Sequence, residues 1–308
     1  MPSVLSVLHT VGPRRALRLA RHRIKRDLFE RSPWYATDDS SDHHAIFIGG
    51  CGRSGTSLLR EILNRHPDIA CGPETTFLCD LVNPARLAVE WGLPCAEIEA
   101  QVRHSPNVVR FAETFFGAFA AREGKPRWAD KTPRNVTVIP RLLAWFPNAK
   151  FIHLIRDGRD VACSLRHHPR QAVRHGRIVP VNSNNPIHQC TRRWLRETSL
   201  GIAFHAHPRC TSLRYESLVN DTESTLRHLC GFLDVDFSHD LLTPAAARGP
   251  AREGRLLNNE RVDAPVHSES IGRWRRDLTP DERRAFARIA GDLLITLCYT
   301  HDHSWVDD

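Results

Sequence analysis

The chain has 308 residues, 41% of them hydrophobic, with seven Trp and thirteen Phe, which is enough apolar volume for a full buried core and excludes global disorder. No run of about 18 apolar residues occurs, which argues against a membrane-spanning helix. The formal charge of +8 is carried far more by Arg than by Lys and suits an anionic ligand, because guanidinium groups grip phosphate and sulfate oxygens bidentately.

Charge alone also fits nucleic acid, an anionic membrane, or a genome that writes Arg for any surface cation. Nine Cys are dispersed without a C-x-x-C pair or zinc-ligand spacing, which suits a reducing compartment and sets cytoplasmic residence as the expectation. Met1 to Val11 is apolar, but the Arg residues follow it, the reverse of a secretory signal.

Residues 12–32 form a basic, helix-compatible stretch with a thin stripe of Leu17, Leu19, Ile24 and Leu28. It reads as a packed or frayed appendage, and its charge also suits peripheral contact with a membrane surface or a partner. Residues 33–43 read as a polar linker, so residues 1–43 precede one domain over 44–308. Ala45 to Ile48, ended by Gly49-Gly50, reads as a buried strand entering a tight loop. Thr56 to Arg65 has helical spacing in Leu58, Leu59, Ile62 and Leu63, and Pro67 closes it. Residues 95–123 predict two helices with Phe111, Phe115, Phe116 and Phe119 on one core face.

A short helix over 140–146 and a turn at Pro147-Asn148 lead to a second strand, Phe151 to Ile155. A helix over 159–166 follows. Residues 167–186 are rich in Pro, Asn, His and Arg without periodicity, so they read as a mobile, lid-like loop. A helix over 187–205, a third strand over 211–214 and a helix over 223–233 come next. Residues 248–268 read as loop, and a capping box from Thr279 to Glu282 opens a final helix ending near Tyr299. Strands alternating with helices predict a parallel α/β sheet, and no internal repeat is present.

Two stretches carry chemistry. The first, Gly49-Gly50-Cys51-Gly52-Arg53-Ser54-Gly55-Thr56-Ser57, lies between strand and helix. Small residues there let backbone N–H groups close around phosphate oxygens while the helix start adds positive potential. Gly50 and Gly55 keep Walker A spacing, but Thr56 stands where the Lys would be, which argues against a nucleotide triphosphatase. In the second, the strand delivers Arg156 at its C-terminal end, beside the crevice where α/β sheets bind ligands. Ser164 lies two helical turns further on, so the backbone must curl for both to meet one anion. On the residues alone, three readings stay open for this pair of stretches. They are a transferase for a phosphate ester, a P-loop-like nucleotide kinase, and a non-catalytic nucleotide- or polyanion-binding protein.

The loop Arg53-Ser54-Gly55-Thr56-Ser57 and the downstream Ile155-Arg156-Asp157-Gly158-Arg159-Asp160 with Ser164 resemble two signatures of one enzyme family. These are the 5′-phosphosulfate and 3′-phosphate sites of sulfotransferases that use 3′-phosphoadenosine-5′-phosphosulfate (PAPS). Their order and spacing match as well. Cys71-Gly72-Pro73-Glu74-Thr75, Asp130-Lys131-Thr132-Pro133 and Leu213-Arg214-Tyr215-Glu216-Ser217 are similar to the tyrosylprotein-sulfotransferase-like branch, over about residues 44 to 280.

The resemblance implies a P-loop-like three-layer α/β domain with a central parallel sheet flanked by helices. It implies that Gly52, Arg53, Ser54, Gly55, Thr56 and Ser57 hold the 5′-phosphosulfate, that Arg156 and Ser164 hold the 3′-phosphate, and that Tyr215 sits by the adenine. Glu74 then matches the branch's catalytic base and Lys131 a Lys that stabilises the transferring group, with Arg53 as a second cation. No metal is required, and the product is adenosine 3′,5′-bisphosphate (PAP). The expected partner is a hydroxyl-bearing small molecule, glycan, lipid or peptide, with no nucleic acid, and a homodimer is compatible with it. One departure concerns the acceptor side: a Ser and a Lys of the branch correspond to Asn259 and Ala264 here, ahead of Pro265-Val266.

Overall fold

A computed structural model describes residue 24 and residues 27–168, 170–174, 177–181, 184–243 and 270–307. Its centre is a sheet of five strands: β1 (Ile46–Gly50), β2 (Ile69–Cys71), β3 (Arg127–Lys131), β4 (Lys150–Ile155) and β7 (Cys210–Arg214). They lie in the order β2-β3-β1-β4-β7, and every pairing is parallel. The parallel α/β sheet read from the alternation of elements is therefore the one observed.

Helices cover both faces. Phe47 of β1 and Phe151 of β4 pack into a core with α2 (Pro84–Trp91), α3 (Cys95–His104), α4 (Val108–Arg122) and α5 (Ile139–Trp145). Ile46, Ile48, Ile152 and Leu154 belong to a second core with α1 (Thr56–Leu63) and α9 (Thr222–Leu233). The two-residue period of a strand puts these neighbours on opposite faces. Phe111, Phe115 and Phe116 are buried in the first core, as their spacing predicts. A third cluster joins α6 (Gly158–Arg166), α7 (Ile187–Ile202) and α10 (Pro280–Thr296), the last opened by the predicted capping box at Thr279.

Three readings change. The loop expected over 167–186 contains an antiparallel hairpin, β5 (Arg170–Arg174) with β6 (Arg177–Val181). Two residues separate these strands, the length of a tight hairpin connection, and flanking Arg residues and Pro180 obscure the apolar core of each. Residues 33–43, expected as a linker, are packed against α4. Arg110 donates to Asp39 at 2.6 Å, Trp34 Nε1 donates to the Ser105 carbonyl at 3.0 Å, and Ser41 hydrogen-bonds Glu113. Ahead of them, residues 27–31 are helical, but Ile24 and Leu28 face solvent and Phe29 is the residue that packs. Leu17 and Leu19 lie outside the described residues.

His153 in β4 is 1% exposed, and neither ring nitrogen has a hydrogen-bond partner among the described residues. A Cβ on Gly201 of α7 would come within 2.3 Å of its ring. Burial alone pushes its pKa down to about 4 from 6.5. The unfolded chain therefore takes up a proton between these values, and stability is lost as pH falls through that window. The loss is about 2 kcal/mol by about pH 5. Urea unfolding at pH 7 and pH 5 should show His153→Leu losing about 2 kcal/mol less than the parent over this interval. Equal losses would contradict the assignment.

Candidate active site

β1 and β4 are adjacent, and the chain leaves them in opposite directions, from β1 toward β2 and from β4 toward β7. Such a switch point opens a crevice at the strand C-termini. The loop from Cys51 to Gly55 sits there, and its backbone is bent in ways that side chains resist. Gly55 is left-handed, with φ 97°, and a Cβ on it would lie 2.3 Å from the ring of Tyr215. Arg53 also holds a left-handed φ of 75°, a strain of the kind stored at functional sites.

The first turn of α1, which the loop feeds, has no side-chain cap and no acidic residue. Its N–H groups are therefore oriented toward the crevice without an internal acceptor, the geometry that holds oxyanions. Ser54 is 1% exposed, and its hydroxyl has no hydrogen-bond partner among the described residues. An orphaned hydroxyl beside an uncapped helix start fits the phosphosulfate end of PAPS.

The 3′ motif meets this loop through Arg53. Its Nε donates to Ser164 Oγ at 3.0 Å, and its carbonyl accepts from Arg156 Nη1 at 3.1 Å. The curl expected between Arg156 and Ser164 thus closes on Arg53. Arg156 is 7% exposed, lies 4.4 Å from the centre of the Tyr215 ring, and has a buried Nε without a partner among the described residues. Tyr215 opens α8 (Tyr215–Asn220) and shares a 2.8 Å hydrogen bond with Ser270. Arg156 also donates to the Ser270 carbonyl at 2.5 Å. A buried guanidinium with an unused donor, backed by an aromatic ring, fits the 3′-phosphate beside adenine.

Glu74 and Lys131 stand on the other side of β1. Lys131 ends β3 directly beside Ile48, and Glu74 follows the end of β2, so both reach the C-terminal edge. Lys131 Nζ donates to Glu74 Oε1 at 2.7 Å and lies 3.4 Å from Ser57 Oγ on α1. The Lys131 side chain is buried, whereas that of Glu74 is 27% exposed. Burial pushes the Glu74 carboxyl up, but the charge and hydrogen bond of Lys131, with Arg86 and Arg60 further off, outweigh it and hold the group below its usual range. The structure thus joins a carboxylate, an ammonium and the phosphate loop. The Arg53 side chain reaches Ser164 of the 3′ motif through its Nε.

Several neighbours carried no legible signal. Glu197, buried on α7, accepts both bonds from Arg193 Nε at 3.1 Å, and Arg193 Nη2 lies 2.9 Å from where a Gly52 Cβ would stand. Asp160 accepts from the backbone N–H groups of Gly272 and Trp274, and Glu216 accepts from those of Asp157 and from Tyr299 Oη. Arg193 and Glu197 stand one helical turn apart on α7, whereas the contacts of Asp160 and Glu216 join segments distant in sequence and follow only from the tertiary fold. Asn259, Ala264, Pro265 and Val266 lie outside the described residues. Among the described residues no group of three or more His, Cys, Asp or Glu is placed to hold a metal ion, and no helix is long and apolar enough to cross a membrane.

Residues 45–239, which include Gly52 to Ser57, Glu74, Lys131, Arg156, Ser164 and Tyr215, match the model of the sulfotransferase family. The chain is 27% identical over 259 residues to protein-tyrosine sulfotransferase 1 of Danio rerio, covering 82% of this chain and 71% of that protein. It is 30% identical over 265 residues to protein-tyrosine sulfotransferase 1 of Homo sapiens, covering 81% and 68%. Its fold is similar to the sulfotransferase domain of the Synechococcus PCC 7002 olefin synthase, with a TM-score of 0.59 at 21% identity over 83% of this chain and 95% of that one. The chain belongs to the sulfotransferase family and is an enzyme that moves a sulfonyl group from PAPS to a hydroxyl acceptor.

Proposed function

We propose that the acceptor is a phenolic hydroxyl, with a peptide tyrosine as the leading case, and that Glu74 takes its proton. The Glu74–Lys131 pair beside Ser57 carries this reading. Glu74 is ionised at neutral pH but holds a proton weakly, because Lys131 stabilises its charged form. Such a base suits a phenol, with a pKa of about 10, far better than an alkyl alcohol. The protein-tyrosine sulfotransferases at 27% and 30% identity support the same acceptor class.

When bound, PAPS supplies the sulfonyl group and a good leaving phosphate. Gly52, Ser54, Gly55, Thr56 and Ser57 would hold its 5′ end, and Arg156 and Ser164 its 3′-phosphate. Arg53 bridges the two. Lys131 stands beside Ser57, where it would meet the negative charge that develops on the leaving oxygen of a bound donor. Engaging that charge would loosen the hold of Lys131 on Glu74, so that Glu74 would bind the acceptor proton more strongly.

Nine free cysteines support a reducing compartment for this chemistry. Labelled donor offered with equal concentrations of a tyrosine peptide and a serine peptide of otherwise identical sequence should label the tyrosine at least about 100-fold faster. Equal labelling would overturn the phenol assignment.

A further inference from the structure

Glu74 lies in a stretch without regular structure, whereas Lys131 ends a central strand. A carboxylate on such a stretch needs an anchor to stay at one distance from its partner. The next residue supplies one. Thr75 is buried, and its hydroxyl donates to Asp130 Oδ1 at 3.1 Å. Asp130 immediately precedes Lys131 and is 1% exposed. The same Oδ1 accepts from Thr132 Oγ1 at 3.0 Å, and Asp130 Oδ2 accepts from Asn135 Nδ2 at 2.9 Å. Thr132 Oγ1 in turn accepts from the backbone N–H groups of Thr75 at 3.3 Å and Thr76 at 3.5 Å. These bonds hold Thr76 in a left-handed conformation, φ 63°, that a β-branched residue ordinarily avoids. The residues flanking Glu74 are thereby tied to the residues flanking Lys131.

The arrangement is costly in the way functional sites are. All three hydrogen-bond partners of the buried Asp130 carboxylate are neutral: two hydroxyls and one amide. Burial raises its pKa to about 6, with the bonds from Asn135, Thr132 and Thr75 acting against the rise and the nearby charge of Glu74 adding to it. A core built only for stability would place an apolar side chain there.

We infer that Thr75 and Asp130 are positioning residues of the sulfonyl transfer, which hold Glu74 at hydrogen-bond distance from Lys131 and so fix the path of the acceptor proton. The inference rests on the reading of Glu74 as the base. It implies that Thr75 acts on the rate only through Glu74, whereas a purely structural residue would act on stability and cofactor binding alike.

Thr75→Val keeps the shape and deletes the donor. It should lower kcat by about 10- to 100-fold, the cost of a misplaced group, with KM for PAPS and affinity for PAP within about twofold. Thr75→Ser, which restores the hydroxyl, should recover most of the rate. In the Glu74→Gln background, Thr75→Val should cause no further loss, because the group it positions is already gone. Unchanged kcat in Thr75→Val, or full additivity with Glu74→Gln, would overturn the inference. If Thr75→Val fails to fold, Thr75→Ala, which also deletes the donor, and the Glu74→Gln, Thr75→Ala double variant carry the same comparison. Full activity in Glu74→Gln alone would instead indict the base assignment, so the two failures are distinct.

Discussion

Glu74→Gln should lower kcat by about 10²- to 10⁴-fold, the range expected for losing a general base, while PAP binds within a few-fold of the parent affinity. Gln is the informative replacement because its carbonyl can still accept from Lys131. Alanine would leave a buried ammonium unpaired, at a cost of about 3–5 kcal/mol, and confuse chemistry with folding. The pH profile adds a second readout. Lys131 depresses the Glu74 carboxyl in the free enzyme, so the acid limb of kcat/KM should fall below the ordinary carboxylate range. With donor and acceptor bound, Lys131 would be shared with the leaving oxygen, and the Glu74 carboxyl should rise. The acid limb of kcat should therefore sit at higher pH than that of kcat/KM. Both limbs should vanish in Glu74→Gln. Coincident limbs in the parent would contradict the sharing of Lys131.

Arg156→Ala should weaken PAP binding by about 100-fold, equivalent to about 2.7 kcal/mol and within the span of hydrogen bonds to charged groups. The effect should depend on the 3′-phosphate. Adenosine 5′-phosphate lacks that group and should bind the variant and the parent with affinities within about threefold. The comparison also controls for damage elsewhere, because Arg156 braces the Arg53 and Ser270 carbonyls and covers the Tyr215 ring. If the variant loses both ligands alike, Arg156 acts as a brace of the loop. If it loses neither, the 3′-phosphate lies elsewhere.

The parts of this site that could be read from the residues are those where local physics acts on a continuous stretch. β1, the Gly-rich loop and α1 combine an apolar run, small residues and a helical spacing within twenty positions or so of one another. β4 announces Arg156 in the same way, and the α10 capping box needs only four residues. β2 spans three residues, Ile69–Cys71, too few to establish a period. β3 is buried, yet it carries Arg127, Asp130 and Lys131, so its pattern is polar where the site requires it to be. The function of that strand is what hid it.

Pairings across the sheet were equally silent. Nothing in the spacing of Glu74 and Lys131 says that they touch. Their contact follows from β2 lying beside β3 and both ending at one edge. Their roles came from family resemblance, and their geometry came from the sheet. The hairpin over 170–181 was missed for another reason, since its strands alternate weakly, the first begins and ends in Arg, and the second begins in Arg and contains Pro180.

Single-turnover transfer measures the central claim without interference from product release. Enzyme saturated with labelled PAPS is mixed with a tyrosine peptide, and labelled ester and PAP are followed together. The parent should form ester and PAP in equal amounts in one exponential, and Glu74→Gln should retain its donor unreacted over the same interval. Equal transfer rates in the two proteins would contradict the account.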